Sequence, residues 1–133
     1  MQYIHLKRLA AETVDKGGEK RVSIPADLFR QLIASALQGK GMFDENYYLS
    51  VNSDIQDAVR RGAIESASEH YYTTGYFEGR LPKKLLVDEK FYLEANPDVA
   101  EAVRKGLVKD AQEHFENAGF REGRVPHKGF SLL

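Results

Sequence analysis

Apolar positions along this chain come in short clusters split by polar turns, and beyond residue 42 the whole pattern occurs twice. Residues 43–82 read FDENYYLSVNSDIQDAVRRGAIESASEHYYTTGYFEGRLP, and residues 87–126 read VDEKFYLEANPDVAEAVRKGLVKDAQEHFENAGFREGRVP. They align without a gap, 44 residues apart, with 18 of 40 positions identical. Other positions change like for like, as in Tyr47/Phe91, Ile55/Val99 and Tyr71/Phe115. So dense a match is a duplication. Internal repeats of this length predict stacked supersecondary units that share a core.

The polar punctuation divides each copy into three short helices, each about two to three turns long and marginal when isolated in water. Asp44 and Asp88 stand where an N-cap belongs, ahead of Tyr47-Tyr48-Leu49 and Phe91-Tyr92-Leu93. Asn52 and Asn96 open the second helix as caps, followed in the second copy by Pro97 and in both by an aspartate facing the positive helix end. Gly62 and Gly106, each after basic residues, end that helix. Ser66-x-x-Glu69 and Asp110-x-x-Glu113 have capping-box form, and Gly75 and Gly119 are the expected stops of the third helix. Glu-Gly-Arg-x-Pro then closes each copy, at 78–82 and 122–126. Leu49, Ile55, Val59, Ala67 and Tyr71 are the expected inward residues of the first copy, and Leu93, Val99, Val103, Ala111 and Phe115 those of the second. One such unit has little to bury, so two are expected to press together.

The first forty residues have no copy. Gln2–Val14 suits a strand or an irregular helix, and Lys16-Gly17-Gly18-Glu19 a turn. Arg21-Val22-Ser23-Ile24 alternates and stops at Pro25, as a short strand or extended arm does. A helix over about 26–38 follows, ended by Gly39 and Gly41, with Leu28, Phe29, Leu32, Ile33, Ala36 and Leu37 on one apolar stripe. That stripe must be covered, either by the first repeat or by a second copy or partner. The fold class expected is mainly α: two tandem three-helix repeats packed as a pseudo-symmetric body, preceded by a short strand or arm and an amphipathic helix. The expected divisions are 1–42, 43–86, 87–126 and a tail at 127–133.

Composition narrows the chemistry. The chain is 42% hydrophobic and 29% charged, ordinary for a globular domain. A net charge of −1 makes a nucleic-acid partner unexpected, although residues 1–42 carry seven Lys/Arg against four Asp/Glu. With no cysteine there are no disulfides, thiolate metal sites or cysteine nucleophiles. The opening MQYIHLKRLAAETVDKGGEKRV lacks the apolar core of a signal peptide, and no run is long enough to span a membrane, so a cytoplasmic location is expected.

Few constellations suggest reactivity. His70 and His114 hold equivalent places but lack a second His one turn away, so a packed, backbone-bonded structural role is expected over a metal or acid–base role. Arg80 and Arg124, each in Glu-Gly-Arg, either fasten the unit through ion pairs or bind a carboxylate or phosphate on a partner. Most tyrosines are expected in the core. Tyr72 and Tyr76, whose counterparts are Glu116 and Phe120, are the candidates for exposure. No phosphate loop, calcium loop, nucleophile elbow or metalloprotease helix is present, and no paired carboxylates stand out. The chain is expected to be non-catalytic, with no cofactor and no metal.

The phrase Tyr92-Leu93, Asn96 to Val99, Ala102-Val103, Gly106, Ala111, His114-Phe115, Gly119 and Glu122 to Arg124 resembles short helical repeats of bacterial, often proteobacterial, proteins. Such repeats occur in small proteins or beside glycosyltransferase-like and secreted calcium-binding repeat regions. The resemblance covers residues 43–126 and departs at Ser53, where the motif has Pro. It implies an accessory, adaptor-like interaction module in envelope or exopolysaccharide systems, with no catalytic residues to carry over. A second resemblance lies in Arg21 to Leu28, whose strand-then-helix phrase is similar to the opening of ribbon-helix-helix DNA-binding proteins. It implies a dimeric DNA-binding regulator using residues 20–38, but that fold needs a second capped helix directly after, where this chain begins its repeat. The expected partner surface is Leu28, Phe29, Leu32, Ile33, Tyr72, Tyr76, Arg80 and Arg124, with a protein partner or a homodimer through the N-terminal segment. His70, His114, Asn52, Asn96, Gly75 and Gly119 are expected to be structural.

Overall fold

The computed structural model describes residues 11–132, so the expectation for Gln2–Val14 lies outside the described residues except at its end. There, β1 (Ala11–Val14) pairs antiparallel with β2 (Lys20–Ser23), Glu12 opposite Val22 and Val14 opposite Lys20. The turn is fixed by Asp15. Its Oδ1 accepts from the backbone N–H of Gly17 at 2.9 Å and of Glu19 at 3.0 Å, while Gly18 takes a φ of +81°. All four residues of β2 are exposed.

Helix α1 (Ala26–Gly39) starts directly after Pro25. Its apolar stripe is split. Leu28 and Leu37 are buried and Ile33 half-buried, and α1 packs on the turn Tyr71–Gly75 of the first repeat. Phe29 and Leu32 lie on the other flank, 48% and 47% exposed, and Ala36 is exposed as well. One face therefore cannot cover the whole stripe.

The first unit comprises α2 (Glu45–Val51), α3 (Ser53–Arg60) and α4 (Ala67–His70). The second comprises α5 (Glu89–Ala95), α6 (Pro97–Arg104) and α7 (Ala111–His114). The side-chain caps stand at equivalent positions in the two units. Asp44 and Asp88 accept from the N–H of Tyr47 and Phe91 at 2.9 and 3.1 Å, and Ser66 and Asp110 from Glu69 and Glu113 at 3.1 and 2.8 Å. Helices α4 and α7 continue into a wider π-helical turn, Tyr71–Gly75 and Phe115–Gly119. Each unit is closed end to end: the N–H of Asp44 donates to the Pro82 carbonyl at 3.0 Å, and that of Asp88 to the Pro126 carbonyl at 2.9 Å.

Two sequence expectations change here. Asn52 and Asn96 occupy the residue before the second helix, but neither side chain caps it. Each amide instead turns back and donates to the Tyr48 or Tyr92 carbonyl, at 2.8 and 2.7 Å, sealing the end of the preceding helix. Gly75 and Gly119 end the helical run as expected, while the left-handed turn falls at Gly79 (φ +71°) and Gly123 (φ +75°) of the Glu-Gly-Arg motif. Finally, the buried residues form two clusters, not one shared core. Tyr48, Ile55, Ala67 and Tyr71 make the first; Tyr92, Val99, Ala111 and Phe115, joined by Leu81 and Leu85, make the second. Leu49, Val59, Leu93 and Val103 only flank these clusters, half-buried. Because Leu81 and Leu85 come from the closing segment of the first unit, that segment is the apolar splice between units. No helix among the described residues is long and apolar enough to cross a membrane.

Candidate functional site

The two arginines sit at the centre of a polar clamp that is built twice. The Arg80 guanidinium donates to Asn52 Oδ1 at 2.7 Å, to both oxygens of Asp54 at 3.1 and 2.8 Å, and to Glu78 at 2.7 Å. Arg124 does the same with Asn96 at 2.7 Å, Asp98 at 2.9 and 2.7 Å, and Glu122 at 2.7 Å. The fork geometry matches a bidentate carboxylate, and the flanking glycine's positive φ brings Glu and Arg of the motif side by side. The clamp ties the end of each unit to the start of its second helix. Hydrogen bonding to the arginine holds the Asp54 carboxyl below its ordinary range and that of Asp98 at about 2. Both guanidinium pKa values are raised by the same bonds. With four donors committed, each guanidinium offers little to an outside anion.

Beside each clamp lies a second repeated device. The Tyr48 hydroxyl meets His70 Nδ1 at 2.9 Å, and the Tyr92 hydroxyl meets His114 Nδ1 at 2.9 Å. The histidines are therefore bonded to a tyrosine hydroxyl and not to the backbone as expected. Burial pushes the Tyr48 phenol up to about 12 and the Tyr92 phenol upward, so each is the proton donor at neutral pH. Burial, with Arg80 adding to it, lowers the His70 pKa and favours the neutral ring that accepts. Each hydroxyl passes directly over the glycine of the wide turn, where a Cβ on Gly75 or Gly119 would overlap it. This close approach explains the duplicated glycine. Among the described residues no three His, Asp or Glu side chains converge as a metal site would require.

The remaining candidates distribute over the surface. Tyr72 and Tyr76 are half-buried, their rings against Tyr71, with Phe43 also touching Tyr72 and Phe77 touching Tyr76. Leu28 is buried and Ile33 half-buried, whereas Phe29 and Leu32 are exposed. Phe77, not singled out by the sequence pattern, joins them: its ring centroid lies 6.4 Å from that of Phe29, and the Arg30 guanidinium stands 5.7 Å over it. The hairpin adds the exposed Val14 and Val22. The signal for Phe77 was its mismatch with Arg121 in the second copy, an aromatic where the repeat does not require one. The clamp partners Asp54 and Asp98 had a signal too, since Asn-x-Asp precedes each Glu-Gly-Arg at the same distance in both copies.

The units meet at Gly79, where the Arg121 stem crosses so closely that its Cγ would lie 3.0 Å from an added Cβ. A polar cleft of 510 Å³ runs between Tyr47, Asn52, Arg80, Glu116 and Arg121. A more apolar one of 730 Å³ lies between Phe77, Phe120, Val125 and Phe130. Gln112 anchors the linker, accepting from the Val87 N–H at 2.9 Å and donating to the Leu85 carbonyl at 2.8 Å. Lys84 pairs with Glu116 at 3.0 Å. Comparison with family models, curated proteins and solved structures finds no match, so the reading of these surfaces rests on their own geometry.

Proposed function

We propose that this chain is a non-catalytic helical interaction module, an accessory or regulatory protein of a bacterial envelope or exopolysaccharide system, whose docking surface is the outer flank of α1. The observation that carries the reading is the pairing of exposed Phe29 and Leu32 on one flank of α1, a helix whose Leu28 and Leu37 are buried. Phe77 extends the flank from the first unit. Exposed apolar side chains placed this close together favour a protein contact over any solvent-facing role. The polar residues that drew attention as a ligand site are instead consumed in fastening each unit. The bacterial system comes from the resemblance of residues 43–126 and is part of the proposal.

The alternative, DNA binding through residues 20–38, draws less support. Arg21 is engaged by Asp15 at 3.2 Å and Glu19 at 3.1 Å, and β2 already pairs with β1 of its own chain. Affinity capture from the native host with the intact chain and with Phe29→Glu/Leu32→Glu separates the readings. A polysaccharide or envelope component held by the first and lost by the second supports the proposal. A chain that shifts its own upstream DNA at physiological salt, or a component retained equally by the folded double variant, overturns it.

A further inference from the structure

The stretches that follow the two wide turns, from Tyr76 to Gly79 and from Phe120 to Arg124, hold equivalent places in the repeat, and both contribute to the lining of the 730 Å³ cleft. At their first position both copies carry an aromatic ring, Tyr76 and Phe120. At the next they part, into Phe77 and Arg121, and both members of this mismatched pair line the cleft. One unit thus supplies an aromatic ring and the other a cation to a single site. Val125 and Phe130 extend the apolar lining. Phe120 and Phe130 pack against the second cluster, which fixes that wall, while Phe77 and Val125 remain 39% and 40% exposed.

Charge decides which class of molecule fits. Glu78 and Arg124 also line the cleft, but both are spent inside the clamps, on Arg80 and on Asp98, each at 2.7 Å. Among the described residues no hydrogen bond or ion pair engages the Arg121 guanidinium. The uncommitted charge at this apolar cleft is therefore positive, and its stem is seated where it crosses Gly79. A guanidinium offers a planar fork of donors that matches a carboxylate. The volume falls within the roughly 300–1,000 Å³ of small-molecule sites. We infer that this cleft binds a small amphiphilic carboxylate, its apolar chain or ring lying among Phe77, Phe120, Val125 and Phe130 and its head on Arg121. Among the described residues no part of α1 lines the cleft, so the site is distinct from the proposed docking flank and meets it only through Phe77.

Calorimetric and nuclear magnetic resonance titration of the full chain with decanoate and with decanol, both below their aggregation concentrations, tests this. Decanoate should saturate one site and bind at least about tenfold more tightly than decanol, as a charge-assisted bond provides. Shift changes should centre on Phe120, Val125 and Phe130. Arg121→Gln keeps the stem carbons over Gly79 and should reduce decanoate to the affinity of decanol, while Val125→Glu should remove the binding of decanoate. The site is overturned by the absence of saturable decanoate binding, by shift changes centred elsewhere, or by a folded Arg121→Gln chain that keeps its preference for decanoate. A folded Val125→Glu chain that binds as the wild type does overturns it equally. If circular dichroism shows either variant unfolded, the affinity ratio and the shift map of the wild type decide alone.

Discussion

The two units share their interior and differ at their borders. Clamp, tyrosine–histidine bond, close-approach glycine and helix caps recur with distances that agree within a few tenths of an ångström. The border positions do not recur: Phe77 is matched by Arg121 and Leu81 by Val125. In the first unit Phe77 meets α1, while in the second Arg121 meets Gly79. Duplication kept what makes a unit fold and released what decides what the unit touches. Binding is therefore to be sought at unshared positions, and stability at shared ones.

The sharpest way to break the shared interior is Gly75→Ala. The methyl would enter the space of the Tyr48 hydroxyl, and overpacking of this kind costs about 3 kcal/mol, seen as a fall in Tm. Removing the hydroxyl with Tyr48→Phe should recover much of that loss, so the pair should be strongly non-additive in a double-mutant cycle. Additive losses would show that the glycine serves something else. Next in size, Arg80→Met should cost about 2 kcal/mol in chemical denaturation, because it strands Asn52 Oδ1 and removes charge-assisted bonds at a half-buried site. Arg124→Met should act in the same direction in the second unit.

A smaller effect of opposite sign tests a difference between the copies. The Tyr71 hydroxyl is buried without a hydrogen-bond partner, whereas Phe115 has no hydroxyl to satisfy. Tyr71→Phe should therefore stabilise the chain by about 1 kcal/mol. The smallest effect is pH dependence. The folded His70 pKa lies below its ordinary 6.5, so its contribution is complete above that value and fades as pH falls through the folded pKa. Asp98 behaves likewise at lower pH: its contribution is present above the usual carboxylate range and lost as pH approaches about 2. A Tm that falls between neutral pH and pH about 5, with a shallower slope in His70→Asn, is the expected profile.

Most of the fold is legible in the sequence because caps and left-handed glycines act locally. Asp44, Ser66, Gly62 and Gly106 do what their neighbours in the chain predict. The misreadings all involve partners far away in the chain. Asn52 is read as a helix cap until Arg80, 28 residues later, is seen to take its oxygen. Gly75 ends the helical run as read, but nothing local reveals the Tyr48 hydroxyl above it, which is why no larger residue fits there. The stripe on α1 reads as one face, but only Leu28 and Leu37 on it are buried and Ile33 half-buried, while Phe29, Leu32 and Ala36 are exposed. Of the proposed docking flank, Phe29 and Leu32 are visible in the periodicity, while Phe77 enters only through the fold.

The separation of stability from binding is tested most directly by measuring both in the same pair of variants, at a temperature well below either melting point. Arg124→Met should lower Tm and leave capture of the partner unchanged. Phe29→Glu/Leu32→Glu should abolish capture and leave Tm within experimental error of the wild type. An Arg124→Met chain that keeps its Tm but loses capture would contradict the account, because it would make the clamp the binding site and the duplication a duplication of function.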